Sequence, residues 1–309
     1  MFRTLSRTLL ASSALLLAAC SGGASGGMSA DDLADLDADT LRDEPVMFSV
    51  TDADSEVILF GTFHILPPET QWESQTLTDA IARSDEVWFE LPKGAQEDPA
   101  LQQLSMQLGM SDTPLSSRLD EPTRERLEAM AGSMGIPMAA LDTMQPWMAS
   151  LTLSMVQMMG AGFDPANGAE AVIEPRVEGK SRRSFETAEQ QLRFFADMDE
   201  AAQVDMLVQS LDGLEDGPEL MTRMATSWAS GDVDMLEDEI INAAKTDAPG
   251  MYDVLFTRRN AAWADALDAE LKGSGTDFVA VGAGHLLGPD SVPVMLAKKG
   301  YEVRVLTAE

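Results

Sequence analysis

The chain of 309 residues holds one cysteine, Cys20, and two histidines, His64 and His285. A single cysteine excludes an intrachain disulfide and a structural zinc site built on cysteines. Positive charge is scarce too: Lys and Arg number 21 against 52 Asp and Glu, a formal net charge of −31. Such a chain repels phosphate backbones and lacks the basic surface from which nucleic-acid binding starts, so nucleic acid is excluded as a partner. After residue 20 no apolar run reaches the ~18 residues of a spanning helix. A GxSxG elbow, a Walker loop, a Rossmann fingerprint and an HExxH helix are all missing, which removes the common covalent hydrolases and nucleotide enzymes. What remains is ordinary globular material: 45% hydrophobic and 24% charged residues, enough to bury a sizeable core without staples.

The N-terminus is an address. Residues 1–19 combine Arg3 and Arg7 with an apolar stretch at 9–17 and the small residues Ala18 and Ala19, the layout of a secretory signal peptide. The tail Leu17-Ala18-Ala19-Cys20 resembles a bacterial lipobox, which implies cleavage before Cys20 and lipid attachment to it, hence a membrane partner through the anchor. Ser21 in the next place implies, by resemblance to lipoprotein sorting, an outer-membrane location in the bacterial cell envelope. Residues 20–44 are rich in Gly and Ser and then in Asp, and read as a lipidated, disordered tether. Residues 45–309 are left for one α/β domain.

In that domain, short β-type runs at 57–63, 86–91, 183–186, 278–282 and 301–306 alternate with longer helical patterns. The continuous apolar character of 57–63 and 278–282 suits strands buried on both faces. The expected fold is therefore α/β: a mostly parallel central sheet with flanking helices and a large helical insertion. Thr187-x-x-Gln190 has the form of a capping box, so a helix should start there and leave Glu186 at the carboxyl end of a strand. Met144, Met148, Met155, Met158 and Met159, on an expected helix over 137–160, read as core filling.

Both histidines sit in the same setting. VILFGTFHILPPE (57–69) and VAVGAGHLLGPD (279–290) each run from an apolar strand through Gly-x-x-His and two apolar residues to a turn containing proline. With 23 glycines in the chain, a glycine three places before both histidines arises by chance with a probability of about 0.006. Two such half-repeats aim two imidazoles at one end of a sheet, where ligands of α/β folds gather. Neutral imidazole is the commonest metal ligand, and a catalytic divalent site wants about three protein ligands plus water. Glu90 and Glu186, each ending a strand, are the candidates to complete the site as ligand or general base. Mn, Co or Zn would suit such N/O donors. Glu69 and Asp290, just past the histidines, read as exposed turn residues.

These motifs resemble the TraB/PrgY/GumN family, related to the Tiki metalloproteases and more loosely to erythromycin-esterase-like and ChaN-like proteins. The resemblance spans most of residues 50–306 and rests on GTFH (61–64), Glu90, the stretch 162–192, FTRRNAAWADAL (256–267), VAVGAGHLLGPDSV (279–292) and GYEVRVL (300–306). It implies that His64 and His285 are metal ligands, that Glu186 joins them or acts as base, and that Arg259 and Asn260 form a polar pair at the site. The resulting expectation is a divalent-metal-dependent hydrolase acting on peptide bonds. In it Arg259 stabilises an oxyanion, and Asn260 orients the substrate or a ligand. The alternative is a non-catalytic module that sequesters peptide or polysaccharide.

Overall fold

The computed structural model describes residues 27–36, 43–95, 97–213 and 217–307. Cys20 and the signal peptide lie outside the described residues. Six strands form one sheet: β1 (Met47–Thr51), β2 (Ser55–Thr62), β3 (Glu86–Phe89), β4 (Ser181–Ser184), β5 (Gly275–Gly282) and β6 (Glu302–Val305), in the order β4-β3-β5-β2-β1-β6. β2, β3, β4 and β5 pair in parallel, whereas β1 runs antiparallel to both β2 and β6. The sheet is thus mostly parallel, with helices around it. β2 and β5, which carry the Gly-x-x-His units, are neighbours at the centre, with Thr62 opposite Gly282.

β1 has no counterpart among the strands expected from sequence. MFSVT is short and lacks a clear period, yet four of its five residues are buried between β2 and β6. The expected helix over 137–160 is two helices, Met138–Leu141 and Pro146–Gly160. Pro146 stands in the first turn of the second, where its missing N–H costs nothing. In that helix Met158 is buried, but Met155 and Met159 are 45% and 56% exposed, so core filling describes only part of the methionine cluster.

The tether expectation is also corrected where that segment is described. Residues 27–36 dock on the domain: Met28 N–H donates to the Val303 carbonyl of β6 at 2.7 Å. The helix Ala30–Ala34 carries a capping box of Ser29 and Asp32 and buries Leu33, with Leu36 buried beyond its end. Leu33 and Leu36 lie three residues apart and so share a face. An acidic average composition conceals that apolar pair.

The helical insertion builds a satellite core from Leu115, Leu127, Leu141, Leu153, Leu207 and Leu211. A second tie runs to the sheet. Trp228 of the helix Gly217–Ser230 donates its indole N–H to the Gly61 carbonyl at 2.8 Å and packs on Trp72 and Phe63.

At the end of the sheet away from the histidines, Glu86, Glu270 and Asp277 bring three carboxylates together. Arg183 lies among them, 2.7 Å from Glu86 and 3.1 Å from Glu270. Burial, with Glu270, Glu86 and Asp85 adding repulsion against the opposing Arg183, pushes the Asp277 carboxyl up to about 6. A folded pKa above the unfolded one adds stability at low pH that is lost as pH rises through about 6. Asp277→Asn removes that loss. At pH 7.5 the variant should exceed wild type by on the order of 1 kcal/mol, with the gap closing by pH 4.5. Denaturation midpoints at the two pH values check this, and an equal difference at both would contradict the assignment.

Candidate active site

The two glycines that open the Gly-x-x-His units explain each other. A Cβ on Gly61 would stand 2.9 Å from Val46 and 3.1 Å from the backbone of Ala283, inside the second unit. A Cβ on Gly282 would stand 3.1 Å from His64 Nε2 and 3.3 Å from Glu90 Oε1. Each motif therefore needs a residue without a side chain where the other passes. The shared turn also brings His64, His285 and Glu90 to one end of the sheet.

Arg259 lies at the centre of the site, on the helix Arg258–Glu270. Its Nε donates to Glu186 Oε1 at 2.8 Å, and its Nη2 donates to Glu186 Oε2 at 2.9 Å and Glu90 Oε2 at 2.7 Å. Its Nη1 donates to the Leu255 carbonyl and to His285 Nε2, both at 3.1 Å. A guanidinium has five N–H donors, and all five are used. The Leu255 carbonyl belongs to a π-helical turn, Asp253–Thr257, that leads into the helix. The plane also stacks over Trp263, whose centroid is 4.7 Å away.

This accounting fixes His285. Because Nε2 accepts from Arg259, Nδ1 carries the proton and donates to Asn260 Oδ1 at 2.5 Å. Asn260 Nδ2 in turn donates to the Asp290 carbonyl at 2.8 Å, which sets the amide's orientation. Burial pushes the His285 imidazole down to about 3, so it is neutral in this network. Trp263 and Phe256 pack against its ring. Asp290 is more than an exposed turn residue: its carboxylate also accepts from the Tyr252 hydroxyl at 3.0 Å.

His64 is the exposed member, with 63% of its side chain accessible. Its Nδ1 meets Glu170 Oε1 at 2.6 Å, and the same oxygen accepts from the Thr62 hydroxyl. Nε2 faces Glu90 Oε1 at 4.0 Å. The Glu170 carboxylate holds the His64 imidazolium well above the usual histidine range. Glu90 is nearly buried, and burial alone would raise it. The His64 imidazolium, Arg259 and the Gly282 N–H at 2.9 Å outweigh that and hold it below the usual carboxylate range.

The structure thus brings together His64, His285, Glu90, Glu186, Arg259 and Asn260. The roles open to them differ from the expected ones. Glu186 is fully engaged: Oε1 also accepts from the Trp263 indole at 3.1 Å, and Oε2 from Gln191 at 3.0 Å. In this conformation it holds Arg259 and offers no free lone pair in the direction of a ligand. Arg259 has no spare donor for an oxyanion. The His285 lone pair is likewise taken.

Of the four expected metal donors, only His64 Nε2 and Glu90 Oε1 are not engaged by Arg259, short of the three that a catalytic ion wants. As arranged, the donor set does not fit a divalent ion. Glu170 is the residue of the candidate site that sequence reasoning missed. It is brought to His64 by the segment 162–173, where Ala169 N–H donates to the Phe63 carbonyl and Asp164 bridges Leu66.

Glu186→Ala would leave the buried guanidinium with half its carboxylate partners. It should destabilise the protein by about 3 kcal/mol, read as a shift in denaturant midpoint at constant slope. A shift below ~0.5 kcal/mol, the level of an ordinary surface pair, would show that the cage is not structural.

Comparison with known proteins bears on the whole domain. Residues 46–305 match the profile of the TraB/PrgY/gumN family. The chain is 26% identical over 197 residues to the uncharacterized protein YbaP of Escherichia coli (strain K12), covering 60% of this chain and 72% of that protein. YbaP of Shigella flexneri matches to the same extent. An uncharacterized protein of Treponema pallidum (strain Nichols) is 21% identical over 271 residues, 83% of this chain and 81% of that one. No solved structure matches. With nearly the whole folded part matched, the chain belongs to the TraB/PrgY/gumN family.

Proposed function

We propose that the protein is a hydrolase of the bacterial cell envelope, acting on peptide bonds, with His64 as its acid–base residue. One observation carries this reading: an accessible imidazole has Nδ1 fixed by a carboxylate at 2.6 Å and leaves Nε2 open above a buried, charged floor. A base oriented by a third group is the common arrangement for activating a nucleophile. The 4.0 Å between His64 Nε2 and Glu90 Oε1 is too long for a direct hydrogen bond and suits a bridging water.

In this scheme the neutral form of His64, populated as pH rises through its raised pKa, takes a proton at Nε2 from that water as it attacks the carbonyl. Glu170 stabilises the imidazolium that forms, and His64 returns the proton to the departing amine. Glu90 orients the water through Oε1. Its other oxygen is held by Arg259, so the carboxylate cannot swing away. Asn260 serves indirectly by keeping His285 in one tautomer. The choice of peptide bonds rests on the family resemblance. Polysaccharide or peptide sequestration without turnover is the competing outcome.

His64→Ala should abolish hydrolysis of a fluorogenic peptide library while leaving the melting temperature within a few degrees. Glu170→Gln should lower the rate by about 10²–10⁴-fold. If wild type and His64→Ala are indistinguishable on every peptide, the catalytic reading fails and the binding module takes its place.

The lipid anchor belongs to the same proposal, supported by the lipobox at residues 17–20. No helix among the described residues is long and apolar enough to cross a membrane, so an acylated Cys20 would be the attachment point. Expressed in a Gram-negative host, Cys20→Ser should move the protein from the outer-membrane fraction to the soluble one. A variant that still sediments with membranes would refute the anchor.

A further inference from the structure

We infer that Arg259 is the resident cation of this site, occupying the lone pairs that a divalent ion would need, and that the site works without a metal. The inference rests on the hydrolase reading for its chemistry, but its cation is argued from geometry alone. Two nearly buried carboxylates, Glu90 and Glu186, face the same region. Buried negative charge of this kind requires a positive partner with good geometry. A divalent ion could supply it, and so can a planar guanidinium, which matches carboxylates bidentately and never loses its charge.

The donors settle which of the two is present. An ion held by His64, His285, Glu90 and Glu186 would need the His285 Nε2 lone pair and at least one free carboxylate oxygen on Glu186. Arg259 takes the first at 3.1 Å and both Glu186 oxygens at 2.8 and 2.9 Å. Releasing them means breaking charge-assisted bonds to two carboxylates, a bond to the Leu255 carbonyl and the stacking on Trp263 and Phe194. Nor is there an obvious place for the displaced head, because Gln191 and Trp263 already fill the far side of Glu186. Arg259 is therefore a positioning residue: it fixes Glu90 beneath His64 and fixes the tautomer of His285.

Titration of the full chain with Co²⁺, followed by calorimetry and by the visible absorption of the ion, tests the inference independently of turnover. Wild type should bind no equivalent of Co²⁺ that depends on the histidines, and a chelator should leave hydrolysis unchanged. Arg259→Met vacates His285 Nε2, Glu90 and Glu186 together, and should gain at least tenfold in Co²⁺ affinity with a histidine-dependent absorption band. One equivalent bound by wild type and lost in both His64→Ala and His285→Ala would overturn the inference. Should Arg259→Met fail to fold, wild type against the two histidine variants decides the matter alone. A protein that binds no Co²⁺ and cleaves no peptide would sink the hydrolase reading and leave the identity of the cation intact.

Discussion

Everything in the site is arranged around one guanidinium. Arg259 has five donors in a rigid fork, and the protein supplies five acceptors from four places: the ends of β3 and β4, a π-helical turn, and the turn after β5. Each acceptor is fixed because the others are. Glu90 cannot rotate without leaving one N–H of Nη2 unpaired, and His285 cannot change tautomer without setting two donors against each other. A planar cation thus converts loosely related loops into one rigid floor. The single accessible imidazole stands above that floor.

The same arithmetic explains why the acidic composition is tolerable here. Three carboxylates crowd the region of His64, and burial alone would raise Glu90 and Glu170 towards protonation. Instead both are held ionised, Glu90 by Arg259 and His64, and Glu170 by His64 and the Thr62 hydroxyl. Elsewhere the cost of like charge is left standing, as Asp277 shows. The chain spends its few cations where orientation matters.

Much of this was legible in the residues. The repeated Gly-x-x-His unit marked β2 and β5 as members of one sheet and put both histidines at one end of it, and the capping box placed Glu186 before its helix. Glu90 stood out because it ends a strand. Glu170 did not, since its meeting with His64 depends on a segment about a hundred residues away folding back across the end of β2. Arg259 was visible as a candidate, but no spacing shows that every donor of a side chain is already used. β1 and the Leu33–Leu36 face were hidden for a simpler reason. Each is too short for periodicity to register, and burial comes from partners that arrive from the far end of the chain.

The long sequence separations also set when the site can form. β2 is bounded by β5 and β1, and β1 is closed by β6, so the sheet centre joins residues near 60 to residues near 280 and 305. Contacts so distant in sequence form late, because the loop between them must close before they stabilise anything. During synthesis the N-terminal part of the chain therefore carries His64, Glu90 and Glu170 without the turn that holds His285 or the helix that brings Arg259. The floor of the site assembles only after almost the entire polypeptide has emerged. A chain cut short before β5 lacks both His285 and the central strand that aligns β2 with β3.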